Sequence, residues 1–319
     1  MTILIVTAPG DPTAARVRNA LDQRGAEYVQ WDLGDFPQRL TLTASIGPRA
    51  PWSGGFSDGR QDLRLDDIHA VYYRRPTDFG FPDHLTGEAR RFAAGEARHG
   101  FGGLLTALPA LWVSHPSRIA DAEFKPAQLR VAGEVGLRIP RTLITNDAAH
   151  ARKFAHDVGK LVYKPLTSPF ISSHEGLKLV YATVVAPDQL NDDQIALTAS
   201  QFQEWVPKKH DVRLTVVGDR CFAAIIHAGS DAAYLDWRSD YRSLSYEPAD
   251  TPVNIASATA AYLRRFRLAF GAFDFVVTPD DEWVLLECNP NGQWGWIEHE
   301  AGLPIGAAIA DLLTGKTAS

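Results

Sequence analysis

Apolar positions along the chain change period several times, and the changes mark its elements. TILIVT (residues 2–7) is a continuous apolar run ending at Ala-Pro-Gly-Asp-Pro. Helical spacing follows from Thr13 to Arg24, stops at Gly25, and gives way to a second strand from Glu27 to Trp31. Strand, helix and strand in that order begin an open, doubly wound α/β sheet. Short alternating segments punctuated by Pro and Gly between Pro37 and Asp66 predict a peripheral hairpin, and Ala70 to Pro76 (AVYYRRP) supplies another central strand. Helix is expected from there to about Leu108, with LWVSHP closing the unit near Pro116.

A new pattern starts at Ile119, where AEFKPAQLRVAGEVG carries apolar residues at helical spacing and ends at a Gly before the strand-forming PRTLIT. KLVYKP and LKLVYATVV predict two strands around a Ser/Gly-rich turn, TSPFISSHEG, and a polar segment leads on to QFQEWVP. Beyond it, VRLTVVGDRCFAAIIH reads as antiparallel strands turning at Gly218 and Asp219, with helices at about Ile255 to Phe270 and Pro304 to Thr314. The expected units are an α/β domain over 1–115, a small central unit over 116–202 and an antiparallel-sheet unit over 203–319.

Composition narrows the partners. The 319 residues carry a net charge of −6 and no Lys/Arg block, which argues against nucleic acid or an anionic membrane as the main partner. No apolar stretch approaches the roughly twenty residues needed to span a bilayer, and no basic leader precedes the first strand, so no membrane is expected and the cytoplasm is. Cys221 and Cys288 each lie in a predicted core strand, as packing residues of a protein in a reducing compartment would.

Candidate chemistry concentrates late in the chain. GAFDFVVTPDDEWVLLECNPNGQW reads as a hairpin whose runs, Phe270 to Val277 and Trp283 to Cys288, flank a Pro-Asp-Asp turn. A loop symmetric about Asp280 and Asp281 pairs Asp274 with Glu287, and Asn289, two further on, shares their face. Directly opposed carboxylates destabilise a strand pair unless something positive lies between them, and a hard divalent cation turns repulsion into coordination. Magnesium is the natural candidate, held by Asp274, Glu287 and Asn289. A solvated acidic hairpin is the alternative, but Glu287 sits inside VLLEC, where an unpaired carboxylate is costly.

Two lysines extend the pattern. Lys125 lies on the helix that opens the central unit. Lys164 ends an apolar strand and precedes small polar residues, Ser172 and Ser173 among them, in a turn able to present N–H groups and hydroxyls to phosphates. Walker and dinucleotide fingerprints are both absent. The interrupted strand Gln203, Glu204, Trp205, Val206, Pro207 suits either a purine edge with an apolar wall or a plain hinge. Arg213 could meet a transferred phosphoryl group or a surface carboxylate.

Taken together, Lys125, Lys164 with its Ser/Gly loop, QEWVP, DVR, Asp274 and the ECN triplet resemble the ATP-grasp superfamily from about residue 115 onward, with the N-terminal unit similar to the domain that precedes the grasp. VYYRRP (71–76), DWRSDYRSLSY (236–246) and NPNGQWGWIE (289–298) resemble the graspetide, or microviridin-type, peptide ligases. The resemblance implies ATP and Mg2+ as cofactors, a ribosomal precursor peptide as partner, and a homodimer. It assigns Lys125, Lys164 and Arg213 to phosphates, Gln203 to Val206 to adenine, and Asp274, Glu287 and Asn289 to magnesium. Arg238, with Arg74 or Arg75 behind it, would clamp the substrate carboxylate, unless these residues only form salt bridges. Trp294 and Trp296 are candidates for a peptide groove or for packing. The activity implied is acyl-phosphate formation on Asp/Glu side chains, then attack by Ser/Thr hydroxyls or Lys amines of the same peptide. Ligases that add an amino acid to a small molecule or protein tail, and nucleotide sensors without turnover, share the same residues.

Overall fold

The computed structural model describes residues 2–167, 170–173, 176–179 and 182–316. β1 (Thr2–Thr7) leads into α1 (Pro12–Asp22), whose Asp11 cap accepts from the N–H groups of Thr13 and Ala14, and β2 (Tyr28–Trp31) returns parallel to β1. The expected peripheral hairpin is β3 (Thr41–Gly47) and β4 (Ala50–Ser57), extended by a third strand, β5 (Asp62–Arg64). β6 (Ile68–Arg74), α2 (Gly87–Ala97), α3 (Gly103–Thr106) and β7 (Leu111–Val113) complete a parallel sheet ordered β2-β1-β6-β7.

The segment read as one helix from Ile119 is two, α4 (Pro116–Ala122) and α5 (Lys125–Glu134). Pro126 lacks the N–H that would carry the helix through, so a new helix begins at Lys125. β8 (Thr142–Thr145) is followed by a helix outside the expected elements, α6 (Ala148–Val158), capped by Asp147. β9 (Leu161–Lys164) and β10 (Phe170–Ser173) come next, then β11 (Gly176–Leu179) and β12 (Thr183–Val185). Two readings are corrected here. Phe170 to Ser173 is not turn but a strand laddered to Gly176–Leu179, and the run read as one strand from Leu177 divides between that hairpin and a second sheet. After α7 (Asp192–Ala196), β13 (Ser200–Glu204) enters this sheet, ordered β12-β9-β13-β8.

The last sheet is antiparallel and ordered β16-β15-β14-β17-β18. It is built from β14 (His210–Val217), β15 (Arg220–Ala228), α8 (Asp231–Leu235), β16 (Leu244–Ala249), α9 (Val253–Phe266), β17 (Phe270–Val277) and β18 (Trp283–Asn289). α10 (Gly295–Ala301) and α11 (Ile305–Leu313) close the described chain. One core joins Val212, Leu214, Phe273 and Phe275 to α4, α5 and α9. Another joins Val217, Phe270 and Ala272 to β1, β6, α1 and α11. Cys288 is buried in the first of these cores and Cys221 packs half-buried against it. No helix among the described residues is long and apolar enough to cross a membrane.

Candidate active site

β17 and β18 bring the acidic residues together, though not by the uniform register of a symmetric loop. Near the turn Val277 pairs with Trp283, Val276 with Val284 and Phe275 with Leu285; then the register shifts and Asp274 pairs with Glu287. Leu286 is the extra residue of a β-bulge. Its effect on orientation is decisive, because side chains alternate along a strand. Leu285 and Cys288, three apart, both enter the same core as Phe273 and Phe275. Glu287 and Asn289 are thereby turned to the opposite face with Asp274. Without the bulge, Glu287 would oppose Phe273 and point into the core.

The charge between the two carboxylates is Arg238, from the segment after α8. Its Nη2 donates to Asp274 Oδ2 and lies 3.1 Å from Glu287 Oε1. Asp236 orients it, accepting from the Arg238 N–H and lying 3.5 Å from Nη1, and the guanidinium covers the Trp237 ring at 4.3 Å. Lys125 Nζ stands 3.3 Å from Glu287 Oε2 and donates to the Pro165 carbonyl at 2.6 Å. Asn289 Nδ2 donates to Asp274 Oδ2 at 3.3 Å. On β14, directly across from Asp274, Arg213 donates to Asp274 Oδ1 at 2.7 Å and to the Gln293 carbonyl at 2.9 Å, with both members of the pair buried.

Electrostatics follows this crowding. Burial would raise the Glu287 carboxyl, but Lys125, Arg238 and Lys164 outweigh it and hold the group well below the usual carboxylate range. Burial likewise opposes the charge on Arg238, which Asp274, Glu287 and Asp236 more than restore. Lys164 is pulled down to about 8 by burial, with Lys125 and Arg238 reinforcing the shift and Glu287 opposing it. Behind Arg213, Asp211 is raised to about 6 by burial despite its 2.6 Å ion pair with Lys208.

Three segments distant in sequence meet here. Arg74, fully buried, donates to Asp11 Oδ2 at 3.0 Å, to the Gly292 carbonyl at 3.3 Å and to Gln293 Oε1. Arg75, held at φ +41°, donates from Nε to the Asn291 carbonyl at 3.2 Å. A side chain at Gly292 would strike Arg213 and Ala272 below 3.0 Å, so only glycine lets the loop approach so closely. Trp296 packs on Trp237 and Tyr246 at 5.2 and 5.0 Å between centroids.

The sequence model of the MvdD pre-ATP grasp domain matches residues 2–120. No curated protein matches the chain. Solved structures do. A RiPP-associated ATP-grasp ligase from Chryseobacterium gregarium, in complex with ADP and a leader and core peptide, superposes with a TM-score of 0.91 at 28% identity, over 99% of this chain and 97% of its own. Macrocyclase MdnC from Microcystis aeruginosa MRC, bound with precursor peptide MdnA, gives 0.85 at 29% identity over 99% and 100%. Macrocyclase MdnB from the same organism gives 0.79 at 28% over 98% of each chain.

The chain has the fold of the ATP-grasp ligases.

Lys125, Lys164, Arg213, Arg238, Asp274, Glu287 and Asn289 form one charged cluster, and Gln203 to Trp205 make contacts of their own. Gln203 is buried on β13 and donates to Thr142 Oγ1. The N–H groups of Glu204 and Trp205 go to the carbonyls of Arg141 and Lys160 at 3.0 and 2.8 Å. The Trp205 ring is covered by Lys160 Nζ at 4.1 Å. Ser172 and Ser173 lie on β10 rather than in a turn, and their side chains, with Ser168 and His174, fall outside the described residues. Trp294 belongs to the core, fully buried.

Sequence reasoning missed Gln128, Asp11 and Gln293. Only Gln128 left a signal, a polar residue three and four before Val131 and Ala132 on the buried face of α5. Among the described residues no three His, Cys, Asp or Glu side chains form a metal-binding group. The ribbon's own set is two carboxylates and an amide, all hard oxygen donors in the form that suits magnesium. Arg238 already seats a cationic group against both carboxylates.

Proposed function

We propose that this protein uses ATP and magnesium to activate Asp or Glu side chains of a ribosomal precursor peptide and joins them to Ser/Thr hydroxyls or Lys amines of the same peptide. The observation that carries the reading is a cation seated between Asp274 and Glu287 with Lys125 and Lys164 beside it, a site made for a polyanion with its counter-ion. The likeness to ligases solved with ADP or with precursor peptides supplies the substrate class. A division into units 1–115, 116–202 and 203–319 belongs to the same proposal. So does a cytoplasmic location, supported by two unpaired cysteines, and a partner set without nucleic acid or membrane, supported by the net charge of −6.

Asp274, Glu287 and the amide oxygen of Asn289 would hold the magnesium, which when bound neutralises phosphate oxygens and orients the phosphoryl group for in-line transfer. Arg213 works through Asp274, fixing that carboxylate from the opposite side. Lys125 and Lys164 supply the remaining charge to the phosphates. Val206, beyond the N–H groups already engaged at Glu204 and Trp205, offers its peptide to the adenine edge. Arg238, once released from the carboxylates, is placed to orient the substrate carboxylate or the transferred phosphoryl group. The peptide carboxylate oxygen attacks the γ-phosphorus and ADP leaves. The hydroxyl or amine then adds to the acyl carbon, loses its proton, and inorganic phosphate departs.

Purified enzyme with ATP, magnesium and a candidate precursor should yield peptide lighter by whole multiples of one water. A gain of a residue mass would favour an amino-acid ligase instead, and unchanged peptide despite ADP release would overturn the macrocyclase reading. Lys164 gives a second expectation. Its ammonium form, the one that attracts phosphate, is lost as pH rises through about 8. Affinity for ADP with magnesium should therefore weaken above that pH, by up to about tenfold per unit until the bound-state pKa is reached. Lys164→Arg, charged throughout, should flatten the profile in calorimetric titrations between pH 7 and 9. An equally sloping profile would remove Lys164 from the phosphate site.

A further inference from the structure

β18 is an edge strand, so its outer N–H and C=O groups need partners from outside the sheet. Two such partners stand on either side of the bulge. Before it, Leu285 N–H donates to the Arg138 carbonyl at 2.8 Å. After it, the Gln128 side chain imitates the peptide of a neighbouring strand. Its Oε1 accepts from Cys288 N–H at 3.0 Å and its Nε2 donates to the Cys288 carbonyl at 2.8 Å, with a second bond to the Ala122 carbonyl at 2.7 Å. Gln128 is itself buried, at 4% exposure, so this bonding is shielded from water.

Outward-pointing groups on a regular edge strand recur every second residue, whereas Leu285 and Cys288 are three apart. The two clamps thus admit only a register with the extra residue between them. Gln128 grips the N–H and C=O of Cys288, the residue between Glu287 and Asn289, and lies one turn along α5 from Lys125, which contacts Glu287.

We infer that Gln128 is a positioning residue, locking the β18 bulge so that Glu287 and Asn289 face Asp274 and α5 delivers Lys125 to the same carboxylate. The inference rests on the metal-site reading of that face, and its test uses neither peptide nor turnover, so the peptide-ligase proposal and this one fail separately. Gln128→Met keeps the length and volume but removes every hydrogen bond, while Gln128→Glu keeps the acceptor for Cys288 N–H.

Hydrogen exchange read at the Cys288 amide, and Mn2+ binding in the presence of ADP followed by electron paramagnetic resonance, report the two consequences. In Gln128→Met, exchange at Cys288 should quicken by at least about tenfold and Mn2+ affinity should fall by about tenfold or more, with Gln128→Glu between it and the wild type in exchange. Faster exchange without loss of Mn2+ affinity would reduce Gln128 to a packing residue, and lost affinity with an unchanged Cys288 amide would place its action elsewhere; either overturns the inference. Should the variant not fold, the wild type still decides. Its Cys288 amide should be as protected as that of Leu285, and a freely exchanging Cys288 amide would refute the lock.

Discussion

Glu287→Gln is expected to lower turnover by about a thousandfold or more while the protein stays folded, because the substitution keeps the shape of the side chain and removes one of the two charges proposed to hold magnesium. Metal stabilisation of phosphoryl transfer amounts to several kcal/mol, which is the basis of that magnitude. The loss should not come from unfolding, since Glu287 is half-buried and its glutamine can still accept from Arg238. A second effect accompanies it. Glu287 is the largest influence supporting the charge on Lys164, so that lysine should titrate lower in the variant and bind phosphate less well near neutral pH. Phosphate release at saturating ATP and magnesium, with circular dichroism as the control for folding, is the measurement. Wild-type turnover would reject the assignment of Glu287.

Arg213→Leu is expected to be the most destabilising single change near the site. The Arg213–Asp274 pair lies across the central strands with both side chains about 5% exposed or less, so removing the guanidinium strands a buried carboxylate and frees the Gln293 carbonyl. Breaking such a pair costs about 3–5 kcal/mol, or roughly 5–15 °C in Tm for a chain of this size. The double variant Arg213→Leu/Asp274→Leu should recover part of the loss, because no charge is then left unpaired. Arg238 enters the interpretation, since it also contacts Asp274 and can compensate in part. Thermal melts of the two singles and the double test the point, and a single variant as stable as the wild type would show that the pair carries no structural weight.

The sequence was most readable where chemistry and period agreed. A Pro-Asp-Asp turn between β-rich runs located β17 and β18 within a residue, and an acid in an apolar run marked Glu287 as a residue needing a partner. The partner itself was not legible as such, because Arg238 reaches the ribbon from a segment whose place in space depends on the whole last sheet. The bulge was hidden too. Pairing Asp274 with Glu287 by loop symmetry reached the right pair through the wrong intermediate pairs, since nothing in VLLEC tells which of two adjacent leucines is extra. α6 was legible but overlooked, since Ala151, Phe154, Ala155 and Val158 stand at helical spacing behind the Asp147 cap. The turn reading missed the strand at Phe170 to Ser173 because serine is as acceptable in a hairpin strand as in a loop.

The core shared by the two ends of the described chain has a consequence for how the protein is made. Ile3, Ile5, Val17 and Leu21 are buried with Ile305, Ile309 and Leu313, and Arg24 grips Asp311 at 2.6 Å. On the ribosome the first parallel strands emerge early, yet the residues that cover one of their faces are translated some three hundred positions later. Until α11 arrives that surface stays wet and adhesive, so the nascent chain departs from the usual order in which an N-terminal unit finishes folding before the rest is synthesised.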